Sequence, residues 1–113
     1  MTIKDLIEKE LFYLANTGEN TELAITKCFC CDLLSIAMGK APSGCAWITV
    51  MANVNTLAVA SLAEVACIIL AEDTKLDENA LAKAKEHGIT VFYTELPVFD
   101  AALEVNKLIA ETL

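Results

Sequence analysis

The sequence predicts an α/β fold: a single-domain sandwich in which a mostly parallel sheet of about five strands is flanked by helices. Three observations predict it. From Cys45 onward the chain alternates strand, helix, strand, helix, strand, helix, the order that right-handed βαβ crossovers produce. Ala46–Met51 and Cys67–Leu70 are near-continuous apolar runs, as expected of strands buried on both faces. Cap and turn residues punctuate these runs at short intervals.

Each element has its own residue-level reason. Thr2 and Asp5 make a box-like start for a short helix over Thr2–Lys9, with Ile3, Leu6 and Ile7 on one face. Leu11–Ala15 reads as a strand and Asn16–Asn20 as a turn. Ala24–Cys30 is a second strand, which pairs hairpin-like with the first. Asp32 reads as the N-cap of a helix through Met38, with Gly39 just past its end. Ala41-Pro42-Ser43-Gly44 is a turn, because proline presets φ and glycine follows. Asn53 or Asn55 caps a helix to about Glu64. Asp77 caps another that ends at Gly88, with Leu76 and Leu81 placed as a hydrophobic staple. Lys83, Lys85 and His87 complement the negative end of that helix. Thr90–Tyr93 is the next strand. The last helix covers Leu96–Thr112, with Pro97 in its first turn and Phe99, Ala102, Leu103 and Ile109 on its apolar side.

Composition narrows the function classes. Eight Lys+Arg against sixteen Asp+Glu leave a net charge of −8, and all eight basic residues are lysine. Nucleic-acid and anionic-membrane surfaces require clustered positive charge, so neither is expected as a partner. The 113 residues suit one domain, and a hydrophobic content of 56% promises a substantial core. Leu57–Ala71, the longest apolar stretch, carries Ser61 and Glu64 and falls short of the ~20 residues of a membrane span. Thr2–Glu10 is charged and amphipathic rather than leader-like, and the five cysteines are odd in number. Together these predict a cytoplasmic protein with reduced thiols.

Four stretches carry a family resemblance: Thr2-Ile3-Lys4-Asp5-Leu6-Ile7, Cys31-Asp32-Leu33-Leu34-Ser35, Ala46-Trp47-Ile48-Thr49, and Val59-Ala60-Ser61-Leu62 running into Cys67-Ile68-Ile69-Leu70. With them the chain resembles a stand-alone DRTGG-domain protein over nearly its whole length. The resemblance implies a fold similar to the N-terminal domain of HPr kinase and a regulatory role. DRTGG modules occur in phosphotransacetylases and between the CBS domains of regulated pyrophosphatases, and some stand-alone members are encoded beside iron-only hydrogenase subunits. The name-giving motif itself is altered. Glu22 keeps its acid, but Leu23 stands where the family has arginine, and Lys27 and Cys28 stand where it has two glycines. Those glycines would allow close backbone approach, so their loss weakens a phosphate or nucleotide contact at that loop.

Open parallel sheets bind ligands beyond the carboxyl ends of their strands. Those ends gather Cys31, Asp32 and Ser35; Asn53 and Asn55; Asp73 and Thr74; and Thr94 and Glu95. Asp32, Ser35, Asn53, Asn55 and Thr94 are the candidate ligand-binding residues. Two amides at a helix start suit a carbonyl, a carboxylate or a base edge, while the plainer reading makes one of them only an N-cap. Cys28, Cys30, Cys31 and Cys45 offer four soft ligands for zinc or an iron–sulfur cluster, against the alternative of small packed thiols. Cys67, Trp47 and Ile48 read as core. The four isolated glycines fit turns and caps, and no catalytic set assembles around the single histidine, His87. The expected function is therefore a non-enzymatic regulatory or sensor module without a resident cofactor. It is expected to be a homodimer that binds a small ligand, an adenine nucleotide among the candidates, or a partner protein. The alternative is a cysteine-based redox or metal accessory protein. A phosphotransferase, suggested only by the HPr kinase likeness, ranks third.

Overall fold

The computed structural model describes residues 1–112. Its first turn is the expected capping box: the Asp5 N–H donates to Thr2 Oγ1 (3.1 Å) and the Thr2 N–H donates to Asp5 Oδ2 (2.9 Å), starting α1 (Ile3–Glu8). There follow β1 (Tyr13–Asn16), β2 (Cys28–Cys30), α2 (Leu34–Lys40), β3 (Ala46–Thr49), α3 (Val54–Ala63), β4 (Cys67–Leu70), α4 (Glu78–Glu86), β5 (Thr90–Tyr93) and α5 (Val98–Glu111).

The five strands form one sheet in the order β1-β5-β4-β3-β2. β2 to β5 are parallel, and β1 runs antiparallel along β5. Each parallel crossover moves one strand in the same direction, so its right-handedness places α2, α3 and α4 on one face. The two faces of the strands divide accordingly. Trp47, Ile68, Leu70 and Val91 pack with Ala37 of α2, Leu57 and Ala60 of α3, and Ala80 and Ala84 of α4. Ala46, Ile48, Cys67, Ile69 and Phe92 face the other way, onto Ile3 and Leu6 of α1 and Ala101, Val105 and Ile109 of α5. With both faces covered, β3 and β4 are buried at every position, which is why their sequences run apolar without alternation.

Several expectations need correction. β1 and β2 are not a hairpin pair but lie on opposite edges of the sheet. The chain between them is pinned instead to the start of α1, by Ile3 N–H to Leu23 O (3.0 Å), Lys4 N–H to Thr21 O (2.8 Å) and Ile25 N–H to Met1 O (2.7 Å). Ala24 joins only an isolated bridge to Thr2, so β2 is shorter than the β-compatible stretch suggests. Asn16 ends β1 rather than opening the turn, and its Nδ2 donates to Ile89 O (2.7 Å). Asp32 does not cap α2, which begins after Leu33 without a side-chain cap and continues through Gly39 to Lys40. Pro97 is the N-cap of α5 rather than part of its first turn. Phe99 and Leu103 face outward, because the buried stripe of α5 is Ala101, Val105 and Ile109. Asn53 and Asp77 cap α3 and α4 as expected. Among the described residues no helix is long and apolar enough to cross a membrane.

Candidate functional site

The loops after β4 and β5 leave the sheet in opposite directions. The one after β4 runs to α4 on the α2–α4 face, and the one after β5 runs to α5 on the other. Neighbouring parallel strands whose onward chains diverge leave a crevice between them, the usual ligand position in open α/β sheets. A cleft of about 710 Å³ opens there. Asp73 and Lys75 come from the β4 loop, and Thr94, Glu95, Leu96 and Pro97 from the β5 loop. Tyr93 and the chain entering β1, Leu11 to Tyr13, complete its wall. β1 reaches this rim because it is antiparallel, bringing its first residues beside the last of β5.

Hydrogen bonds tie the two loops together across the crevice. The Glu72 N–H donates to Leu96 O (2.9 Å) and the Asp73 N–H to Thr94 O (3.0 Å). Thr74 Oγ1 donates to Ala71 O (2.7 Å), closing the turn. Glu72 and Asp73 hold φ of 59° and 61°, the left-handed region that non-glycine residues adopt at a cost on the order of 1 kcal/mol each. Two such residues in succession at the mouth of a cleft are over-determined by those bonds.

The wall of the cleft is aromatic. Tyr13 and Tyr93 are cross-strand partners whose rings stack with centroids 6.0 Å apart and planes 13° apart. Tyr13 stays 70% exposed, so most of its ring faces water. The Tyr93 hydroxyl accepts from the Leu76 N–H (3.2 Å), which fixes the ring and leaves its own hydrogen as a donor. The charged groups are the carboxylates of Asp73 and Glu95 and the ammonium of Lys75. Lys75 Nζ sits 3.7 Å from Asp73 Oδ1, an exposed pair of little energetic weight.

Of the residues expected to bind a ligand, Thr94 lines this cleft. Its Oγ1 accepts from the Leu96 N–H (3.2 Å), shaping the β5 loop. The other four lie elsewhere on the rim, beyond β2 and β3. Asp32 is occupied structurally: its Oδ1 accepts from Thr49 Oγ1 (2.7 Å) and from the Val50 N–H (2.9 Å), fastening the β2 loop to the end of β3. Asn53 Oδ1 accepts from the N–H groups of Asn55 (2.9 Å) and Thr56 (3.3 Å), the work of an N-cap. Ser35 and Asn55 are exposed on helix starts away from the cleft. Tyr13, Tyr93 and Lys75 were not among the sequence candidates. The signal that points to them is the pairing of β1 with β5, which local periodicity does not carry.

The cysteines do not converge on one site. Cys28 packs with the α1–α5 side, its Sγ 3.5 Å from Ala102 O, while Cys45 lies in the core beneath α2–α4. Cys30 is exposed, and the Cys31 Sγ donates to Leu33 O (3.3 Å). Among the described residues no group of three or more His, Cys, Asp or Glu side chains is placed to hold a metal ion. Desolvation pushes the Cys28 and Cys45 thiols up to about 11 and the Cys67 thiol higher still. A thiol that burial keeps protonated is a poor nucleophile near neutral pH. Cys67, Trp47 and Ile48 are fully buried, as expected of core.

No protein-family model matches the chain, and no curated protein matches it.

Proposed function

We propose that the chain is a non-enzymatic regulatory module that senses a small ligand in the cleft beyond β4 and β5. The observation that carries this reading is the coincidence of three independent features at one place. The crevice lies where the onward chains diverge, the left-handed Asp73 lines it next to the left-handed Glu72, and an exposed tyrosine forms its wall. The regulatory role itself is suggested by the DRTGG-like stretches of sequence. The ring of an adenine-type ligand suits the tyrosine wall better than its phosphates suit the neighbouring carboxylates.

Both tyrosines of the chain line the cleft, and its single tryptophan, Trp47, is buried in the core. Isotope-labelled tyrosine therefore gives an NMR probe confined to the site, with the Trp47 indole as an internal control. Titration with millimolar adenosine is expected to shift the Tyr13 and Tyr93 ring signals and leave the indole signal in place. Unmoved tyrosine signals at millimolar adenosine, or tyrosine and indole signals moving together, would sink this reading.

The module is further proposed to act as a homodimer. Phe99 and Leu103 are one turn apart on α5 and both exposed, Phe99 at 72%, an arrangement that a second copy of this chain would cover. Sedimentation should give a dimer that Phe99→Glu converts to monomer; a monomeric parent protein contradicts it.

A further inference from the structure

Resting on the ligand site proposed above, we infer that the cleft selects a flat organic cation, a conjugated ring carrying positive charge, over the neutral or anionic form of the same ring. Two groups of different chemistry point to this class.

The first is the tyrosine pair. Stacking on Tyr93 holds Tyr13 in one plane, and the Leu76 N–H in turn fixes Tyr93, so the exposed ring is a preorganised platform. A tyrosine face carries partial negative charge, and a ring bearing positive charge is attracted to it more strongly than a neutral one. Leu11, Leu96 and Pro97 add apolar wall, which removes water from a bound ring and strengthens that attraction.

The second is the charge around the platform. Glu95 and Asp73 bring two carboxylates to the lining, and Lys75, among the described residues the one ammonium there, already leans on Asp73. The start of α5 also meets the cleft through Leu96 and Pro97, and a helix N-terminus brings about half a positive charge. Asp100 in the first turn of α5 offsets part of that charge. The balance at the cleft is therefore negative, and the net charge of −8 on the whole chain adds to it. A phosphate or carboxylate on the ligand meets repulsion here; a ring cation meets Glu95 from the side and Tyr13 from the face.

A charge series on one ring tests this: nicotinate, nicotinamide and 1-methylnicotinamide, quaternised at the ring nitrogen, are an anion, a neutral molecule and a cation of nearly the same shape. Each is titrated into the full chain, with the labelled tyrosine signals as readout. 1-Methylnicotinamide is expected to bind about three- to tenfold more tightly than nicotinamide, with nicotinate weakest. Added salt should narrow the spread. Glu95→Gln should remove most of the preference for the cation while nicotinamide binding stays, and Tyr13→Ala should weaken all three. Both positions are exposed, so the variants are expected to fold, which their circular dichroism checks. Nicotinate binding as tightly as the cation, or equal binding of all three, overturns the cation inference and leaves the cleft as the ligand site. Tyrosine signals that respond to none of the three remove both the inference and the site beneath it.

Discussion

Glu72 and Asp73 occupy backbone conformations in which glycine is at ease and a carboxylate side chain is not. Replacing Glu72 by glycine removes that penalty at a position whose N–H still donates to Leu96 O. We expect Glu72→Gly to raise stability by about 0.5–1 kcal/mol in urea unfolding. A loss of stability would mean that the left-handed turn is not held as described. The same scale explains which side chains were legible in the sequence. Asn53 and Asp77 cap their helices by bonding backbone two or three residues ahead, a local event that spacing reveals. Asp32 carries the same cap chemistry, but its partners, Thr49 and Val50, are 17 and 18 residues away, and the longer-range bonds prevail. Thr49 is fully buried, and without the Asp32 carboxylate its hydroxyl loses its acceptor. Asp32→Ala should therefore cost about 1–3 kcal/mol while leaving ligand-induced tyrosine shifts unchanged. Loss of those shifts in a folded variant would return Asp32 to the binding site.

Among the elements, the interior strands are legible in the sequence and the edges are not. β3 and β4 lie between two helical layers, so their burial is written as unbroken apolar runs. β1 and β2 cover one strand each, and nothing in four or three residues states which strand that is. Their sequence proximity suggests a hairpin. The pinning of Thr21–Ile25 to the start of α1 carries the chain to the far edge instead. This matters for function, since only an antiparallel β1 beside β5 sets Tyr13 against Tyr93. The candidate site was thus half-legible: Asp73, Thr94 and Glu95 follow from strand ends, whereas the aromatic wall follows from topology. On α5, the large apolar residues Phe99 and Leu103 suggest a buried face, yet the layer packs on the smaller Ala101 and Val105. The outward pair is what a partner surface would require.

For the molecule as a whole, the buried thiols predict an alkaline limit to stability. In the unfolded chain a thiol ionises near its ordinary value of 9.0, whereas desolvation keeps the folded Cys67 protonated well above it. A folded-state value raised in this way gives stability that is complete below about pH 9 and is lost as pH rises further. Cys67 alone should contribute a fall of about 1.4 kcal/mol per pH unit in that range. Cys45, pushed up to about 11, has its window between 9 and 11. Urea unfolding under reducing conditions at about pH 8 and about pH 10 checks this, with Cys67→Ala as control. The variant should show a shallower decline even if it starts less stable; an unchanged slope would count against the account.

Ligand binding is proposed to belong to the crevice where the chains beyond β4 and β5 part. Mapping backbone amide NMR shifts over the whole chain on addition of 1-methylnicotinamide tests this. The largest shifts are expected at Leu11–Tyr13, Asp73–Lys75 and Tyr93–Leu96, with Asp32 and Asn53 little affected. Largest shifts in the groove between α1 and α5, at Asp5, Lys9 and Thr112, or around Asn53 and Asn55, would contradict it.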